Sequence, residues 1–596
     1  MSEWDIKVDI FDKKRISIDS TNVFRDRELI LTLPGARYDT KNHRFLAPLT
    51  WATCVAVRGI FGERLQIGES LASWAWDERN TRIDPAIKLR QAWDAEGDDD
   101  LYPFQRAGVQ FLKYAKRALL CDEMGTGKTV QTIRTLKSLH DDGEDPFPAL
   151  VVAPNNMTLT WKKEIEKWWP GRTAVVIKGS AAKRKQQIAE KADFHIINWE
   201  SVRIHSKLES YGSNRLKRCI VCDPTLADTP TNKQSRCEWC KKELNQKEWK
   251  TIIVDEAHRM KNPNAKQTQA VWALQNSETK YVYALTGTPI ANAPHDFWPS
   301  LKMVAPDEWP SRSRYMDRYC LLSYNIFGGM NVVGLREETK AELFSIVDPR
   351  MRRMPKEAVL PFLPKKTYTE RYVDMTTKQK KAYDQMADQL ISVLGDAVAV
   401  AVNPLTQMTR MMQFASAFAE IDPTTGEVRL SDPSNKVDAL VDLLDEMGEE
   451  PAVVFAQSRQ LIELAAKRLD KEKISYTMIV GGQSADEREA SKTSFQDGKV
   501  RVILCTIAAG GIGITLTRAG TAIFLQRSWS MVDNAQAEDR VHRIGSEIHD
   551  KINIVDILSI GTLEERQRLV LSTKEERLEE VLRDRDTLAR LLKPTD

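Results

Sequence analysis

Short apolar runs recur along this chain, and between them apolar residues return every three or four positions. A run that is apolar at every position reads as a strand buried on both faces, and the longer spacing reads as an amphipathic helix. Strands are therefore expected at Ala118–Cys121, Leu150–Ala153, Phe194–Ile197, Thr251–Val254 and Tyr281–Leu285. Helical stretches separate them, as with Val130, Ile133, Leu136 and Leu139. A second series follows Pro433, at Ala452–Phe455, Tyr476–Val480, Val502–Cys505, Ala522–Leu525 and Ile552–Ile557. Strands alternating with helices build parallel sheets. The expected fold class is α/β, with two tandem parallel-sheet lobes over residues 100–300 and 431–565. Residues 301–430 read as a mainly helical region between the lobes, where Met408, Met411 and Met412 keep core spacing. Ahead of the lobes, residues 1–92 carry short alternating strands around Pro34-Gly35 and predict a small β-rich N-terminal domain. The acidic stretch Asp94 to Asp100 reads as a linker, and the charged amphipathic tail, 566–596, as a C-terminal helical brace.

Two polar motifs close apolar runs. DEMGTGKT, from Asp122 to Thr129, follows one predicted strand and opens a helix, the arrangement in which backbone N–H groups and a helix N-terminus face phosphate. Gly125 and Gly127, with Thr126 between them, let the loop curl; Lys128 can reach the β and γ oxygens, and Thr129 can ligate magnesium. Where the usual loop has a glycine five positions before Gly127, this chain has Asp122, which argues against a generic kinase or GTPase. Alone, the loop could be an ordinary glycine-rich turn. It is joined by Asp255-Glu256-Ala257-His258, a DEAH box at the end of another predicted strand, where open α/β sheets bind ligands. Asp255 can hold Mg2+ through water, and Glu256 can orient and deprotonate a water attacking ATP. The second series has no phosphate loop, so the nucleotide belongs in a cleft that the second lobe completes. Arg540 and Arg543, in QAEDRVHRIG, are the candidate arginine fingers, expected on one face of a helix.

Charge narrows the partners little: 87 basic and 84 acidic residues among 596 give a net charge of +3, so any DNA track must be a local patch. No run of 18 apolar residues is present, and MSEWDIKVDI lacks the apolar core of a signal peptide. The expectation is an intracellular protein without membrane contact. Of eight cysteines, Cys219, Cys222, Cys237 and Cys240 form two C-x-x-C knuckles separated by fourteen residues. Four thiolates at that spacing suit tetrahedral Zn2+ in a closed, structural site. Lys217, Arg218, Lys233, Arg236, Lys241 and Lys242 ring it, as a solvated rim or as a DNA contact.

From about Leu101 to Arg568 the motifs resemble the Swi/Snf-type branch of superfamily 2 helicases. The carrying residues are LYPFQRAGVQFL, DEMGTGKT, VVAPNNMTLTWKKEIEKW, INWE, DEAHRMKN, LTGTPIAN, AVVFAQSR, TIAAGGIGITL and QAEDRVHRIG, which opens at Gln536. RRMPKEAVLPFLPKK, from Arg352 to Lys366, resembles the family's inter-lobe linker. The resemblance implies RecA-like lobes, the first interrupted by the zinc-ribbon insertion at 212–245 that the cysteine spacing predicts, and it implies Gln105 as an adenine contact. It also implies Thr286, Thr288 and Gln536 as residues coupling nucleotide to DNA, with His258 joining the threonines across the cleft. The closing motif ends in Ser546 where many relatives have glutamine.

ATP-driven tracking on duplex DNA follows from that resemblance, with remodelling of branched DNA or displacement of DNA-bound protein. A strand-separating helicase, and a zinc-bearing DNA-binding module using ATP only as a clamp switch, are the alternatives. LILTLPGARYDTKNHRFLAPL, from Leu29 to Leu49, resembles the HARP domain of annealing helicases, with a small docking domain as the other reading. There Tyr38, Arg44 and Phe45 are expected to meet exposed bases and backbone. The expected setting is the cytoplasm or nucleoid of a prokaryote or phage-infected cell.

Overall fold

The computed structural model describes residues 5–208, 242–290, 294–324, 330–395, 404–422, 427–510, 514–568 and 571. The chain divides into two compact units, Met1–Val359 and Leu360–Asp596. Cys219, Cys222, Cys237 and Cys240, and the tail beyond Leu571, lie outside the described residues.

The first unit opens with β1 (Ile6–Asp12), β2 (Arg15–Ser20), β3 (Arg37–Asp39), β4 (Arg44–Pro48) and β5 (Leu65–Ile67), in the order β3-β4-β2-β1-β5. The expected sheet is present, and the helices Val23–Thr32, Trp51–Phe61 and Glu69–Glu78 accompany it. Their periodicity is faint in sequence because two of them bury little: Val23–Thr32 buries only Asp26 and Ile30, and Glu69–Glu78 only Leu71. Phe45 is 2% exposed inside this module's core, so it is not placed to stack on a base; Tyr38 keeps 42% exposure, its ring edge-on to Phe45 at 5.0 Å. Arg44 lies over the Phe11 ring and 4.0 Å from Asp19.

Next come β6 (Arg117–Leu120), β7 (Ala149–Ala153), β8 (Ala174–Ile177), β9 (Phe194–Asn198), β10 (Thr251–Asp255) and β11 (Tyr281–Leu285). The hairpin β12 (Cys320–Tyr324) and β13 (Met330–Leu335) and the short β14 (Met351–Arg352) follow. The main sheet runs β14-β6-β11-β10-β7-β9-β8, parallel throughout. All five expected strands are there. β8 escaped notice because only half of it is buried, and β14 because two residues show no period. Helix Asp84–Gln91 belongs to this lobe, for Ala86 sits in its core with Phe111, Ile133 and Trp161. The acidic stretch is pinned to the lobe: Asp94 and Asp99 face Arg106, and Asp98 and Asp100 face Arg134.

The second unit holds β15 (Lys365–Val373), the hairpin β16 (Phe418–Ile421) and β17 (Val428–Ser431), then β18 (Ala452–Ala456), β19 (Tyr476–Ile479), β20 (Val502–Thr506), β21 (Thr521–Phe524) and β22 (Lys551–Ser559). Its sheet is again parallel, β15-β22-β21-β18-β20-β19. β15 lies in the stretch expected to be helical; its polar-rich alternation marks an edge strand, with Tyr368 and Tyr372 half exposed. Helices such as Arg312–Tyr319, Glu337–Val347 and Thr377–Gly395 fill much of 301–430, and Met411 and Met412 are buried. Among the described residues no helix is long and apolar enough to cross a membrane.

Candidate active site

β6 runs into the glycine loop, where Gly125 and Gly127 both take φ +81°, a conformation that costs any side-chain-bearing residue. At Gly127 a Cβ would also fall 2.4 Å from Gln105 Nε2. Helix Lys128–Asp141 starts directly after, which sets Lys128 and Thr129 in a first turn whose N–H groups lack helical partners and carry the positive end of the dipole. The loop is braced from within: Gln105 Nε2 donates to Thr126 O at 2.9 Å, and Thr126 Oγ1 donates to Glu123 O at 2.7 Å. Gln105 Oε1 accepts from Tyr102 N at 3.1 Å, so both ends of the amide expected to read adenine serve the backbone here. Lys128 Nζ donates to Asp122 O and Glu123 O at 2.8 and 3.1 Å.

The departure at Asp122 has a structural reason. Its fully buried carboxylate accepts from Met354 N at 3.0 Å and from Gln131 Nε2 at 3.3 Å, with Arg352 Nε at 3.9 Å. A glycine there would leave those buried donors unsatisfied.

At the end of β10, Asp255 is 8% exposed. Trp161 Nε1 donates to its Oδ2 at 2.9 Å, Glu256 N to its Oδ1 at 3.0 Å, and Trp199 Nε1 to its carbonyl at 3.0 Å. Burial first, then the neighbouring Glu256 charge, push the Asp255 carboxyl up to about 6, against the opposing pull of the Trp161 N–H and Lys128. Its ionised form gains little from nearby cations, and oxygen donors of its kind, like the Thr129 hydroxyl, are those a hard cation takes. Glu256 takes φ +52°, a left-handed conformation unusual for a residue with a side chain, and strain of this kind concentrates at functional sites. His258 Nδ1 lies 3.2 Å from Glu256 Oε2 and 3.1 Å from Thr286 Oγ1, and Thr288 N donates to Thr286 Oγ1 at 3.1 Å. The structure thus brings His258 beside Thr286, and Thr288 onto Thr286, inside the first unit. Gly287 between the threonines packs on the loop, since a Cβ there would meet Met124 at 2.7 Å.

In the second unit, Gln536 lies on helix Met531–Glu538, which stops before the two arginines. Beyond it the chain turns, with Val541 N and His542 N both donating to Glu538 O, and the Arg540 carbonyl accepts from Leu516 N at 2.9 Å. The arginines still converge: Arg540 Nη1 and Arg543 Nη1 donate to the same Ile514 carbonyl at 3.2 and 3.4 Å.

Sequence reasoning gave no role to Trp161, Trp199, Gln131 or Arg352. The first two stood inside quoted motifs, Trp199 two residues after an apolar run and Trp161 eight after one; a buried indole needs an acceptor, and that was the available signal.

The helicase conserved C-terminal domain matches residues 435–545. An uncharacterized ATP-dependent helicase of Mycoplasma genitalium is 26% identical over 492 residues, covering 81% of this chain and 42% of that protein. Chromodomain-helicase-DNA-binding protein 1-like of Mus musculus is 27% identical over 491 residues, covering 80% and 49%. The chain thus spans under half the length of these curated relatives. The SWI2/SNF2 ATPase core of Sulfolobus solfataricus, solved in complex with dsDNA, is 24% identical at a TM-score of 0.37, covering 84% of this chain and 97% of that one. The SNF2-related domain matches residues 104–420, more than half of the 596, and the chain belongs to that family.

Proposed function

We propose that the chain hydrolyses ATP and uses the energy to move along duplex DNA, remodelling branched DNA or displacing bound protein. The carrying observation is the assembly, in one unit, of a left-handed glycine loop, a buried carboxylate at a strand end and the Glu256–His258–Thr286 chain. Lys128 and the first turn of its helix hold the phosphates, and Gln105 fixes the loop that presents them. Thr129 and Asp255 would hold Mg2+, which when bound would neutralise phosphate charge. Glu256 orients the attacking water and takes its proton. Arg540 and Arg543, carried by the second unit, supply charge to the phosphoryl group, so that hydrolysis depends on the two units coming together. Thr286, Thr288 and Gln536 pass that dependence to the DNA track.

The test is steady-state ATP turnover with and without duplex DNA. Weak turnover alone and strong stimulation by DNA are expected, with Glu256→Gln keeping ATP binding and losing on the order of a hundredfold or more in rate. ATP binding without turnover in either condition would instead favour a nucleotide-switched clamp. Unwinding of a plain duplex would favour a strand-separating helicase.

Zinc is part of the proposal on the chemistry of its donor set. Cys219, Cys222, Cys237 and Cys240 would hold one Zn2+ as a structural cross-link. At the base of their insertion Lys207 N donates to Asn245 Oδ1 at 2.7 Å. Metal analysis should return one zinc per chain, lost when Cys237 and Cys240 are replaced together. The exposed Tyr38 and neighbouring Arg44 support a DNA-facing role for the N-terminal module. Unchanged fork binding by Tyr38→Ala would remove that role.

A further inference from the structure

The segment joining the two units is short and stiffened: Pro355, Pro361 and Pro364 fall within ten residues, and each fixes its backbone φ. Its first end is laced to the phosphate loop. Cys121 N donates to Arg352 O at 2.7 Å, Glu123 N to Met354 O at 3.2 Å, Met354 N to Asp122 Oδ1 at 3.0 Å and Lys356 N to Glu123 Oε2 at 2.8 Å. Arg352 locks this lacing in place. Its buried guanidinium donates to the carbonyls of Leu89, Arg90, Ala92 and Phe104 at 2.6 to 3.1 Å.

The other end is laced to the segment that carries the arginines. His542 Nε2 lies 2.8 Å from Pro364 O. Lys366 Nζ lies 3.0 Å from Glu538 Oε2 and 3.5 Å from Asp539 Oδ1, and Tyr368 OH donates to the same Glu538 oxygen at 2.9 Å. Glu538 stands two residues before Arg540, and His542 one residue before Arg543. Between these anchors Val359 and Leu360 are buried, and Pro361 and Phe362 are exposed, which makes that last pair the place where added residues meet the least packing.

We infer that residues 352–366 are a strap tying the phosphate loop to the arginine-bearing segment, with Arg352 and Lys366 as positioning residues that set where Arg540 and Arg543 can reach. A mere tether would need chain length and solubility. This one spends bonds on Cys121, Asp122 and Glu123 at one end and on Glu538, Asp539 and His542 at the other, and rigid prolines let a shift at one anchor move the other. The inference rests on the reading of the chain as an ATPase; its dependence on DNA is separate.

The test lengthens the strap without touching either anchor: Gly-Ser-Gly-Ser inserted between Pro361 and Phe362 of the full chain. ATP turnover is measured with and without duplex DNA, together with thermal melting, and the variant is judged in whichever condition the unaltered chain is faster. A strap predicts a KM for ATP and a melting temperature close to those of the unaltered chain, with kcat lower by about tenfold or more, since small misplacements of a catalytic group are costly. Lys366→Met should lower kcat in the same way, and Lys366→Arg should restore much of it. An inserted chain that melts normally and turns over within about twofold of the unaltered one overturns the strap. Should the insertion lower the melting temperature, the Lys366 pair decides, and a Met variant with normal kcat, or no recovery with Arg, overturns it. Loss of DNA stimulation in the unaltered chain would sink the DNA reading alone.

Discussion

Asp255 in the first unit and Glu538 in the second are carboxylates buried to nearly the same degree, 8% and 6% exposed. Around Asp255 stand an indole N–H, a backbone N–H and a second carboxylate. Arg527 Nη1 donates to Glu538 at 2.7 Å, Lys366 Nζ at 3.0 Å and Tyr368 OH at 2.9 Å. Burial raises both groups. For Asp255 the nearby charge of Glu256 adds to burial, and the group reaches about 6; for Glu538 the cations Lys366 and Arg527 outweigh burial and bring it down to about 2. Partners, more than depth, decide the sign. The carboxylate proposed to meet a metal ion has a carboxylate as its strongest charged neighbour, whereas the one that anchors Lys366 and Arg527 is saturated with cations.

The sharpest break of that comparison is Asp255→Asn. Turnover should fall by on the order of a hundredfold or more, because the oxygen proposed to hold magnesium loses its charge. In metal-free buffer the same variant should stay within about 1–2 kcal/mol of the unaltered chain, since relief from a buried charge offsets the one N–H, of Trp161 or of Glu256, that the single amide oxygen cannot accept. The sign of that relief follows from linkage: a folded-state value raised from 3.8 to about 6 gives stability that is present below 3.8 and lost as pH rises through 6. A clear loss of stability at neutral pH would mean that Asp255 is held as firmly as Glu538.

Glu538→Gln should do the reverse. It leaves Arg527 and Lys366 facing a neutral group, and breaking a buried charge network costs about 3–5 kcal/mol. The pH dependence runs the other way too. Glu538 is depressed from 4.5 to about 2, so its contribution is present above 4.5 and lost as pH falls toward 2. The stability of the second unit should fall as pH drops through that window, by up to about 3 kcal/mol, and Glu538→Gln should flatten the slope. An unchanged acid slope in that variant would assign the effect to other carboxylates.

What the sequence made legible follows the same division. Runs such as Thr251 to Val254 announce their burial, and a loop with two glycines beside a lysine announces phosphate chemistry. Both are local signals. Asp122 read as a departure because its meaning lies in Met354, a residue 232 positions away in the chain. β15 read as part of a helical region because an edge strand keeps polar residues, and only its pairing with β22 reveals it. Arg540 and Arg543 were expected on a helix since their spacing allows one, yet the helix stops at Glu538 and the Arg540 carbonyl pairs with Leu516 N, 24 positions away in the chain. Phe45 looked like a base-stacking aromatic because a strand's alternation does not say which face is covered.

The smallest expected effect tests the least conspicuous part of the contrast, the indole of Trp161. Trp161→Phe keeps an aromatic ring in the core and removes the one side-chain N–H that Asp255 Oδ2 receives at 2.9 Å. That bond favours the ionised carboxylate, so without it the group should be harder to ionise than it already is. Magnesium competes with a proton for the same oxygens. The magnesium concentration giving half-maximal ATP turnover should therefore rise by a few fold, about threefold near pH 6, and less near pH 8 where the carboxylate is ionised anyway. Some loss of stability is expected in either case, because the smaller ring leaves space in a core that holds Trp161 fully buried. The discriminating readout is the pH dependence of the magnesium requirement. If it stays flat while stability drops, Trp161 serves packing alone, and the shortage of positive charge at Asp255 is set by burial and Glu256 without help from the indole.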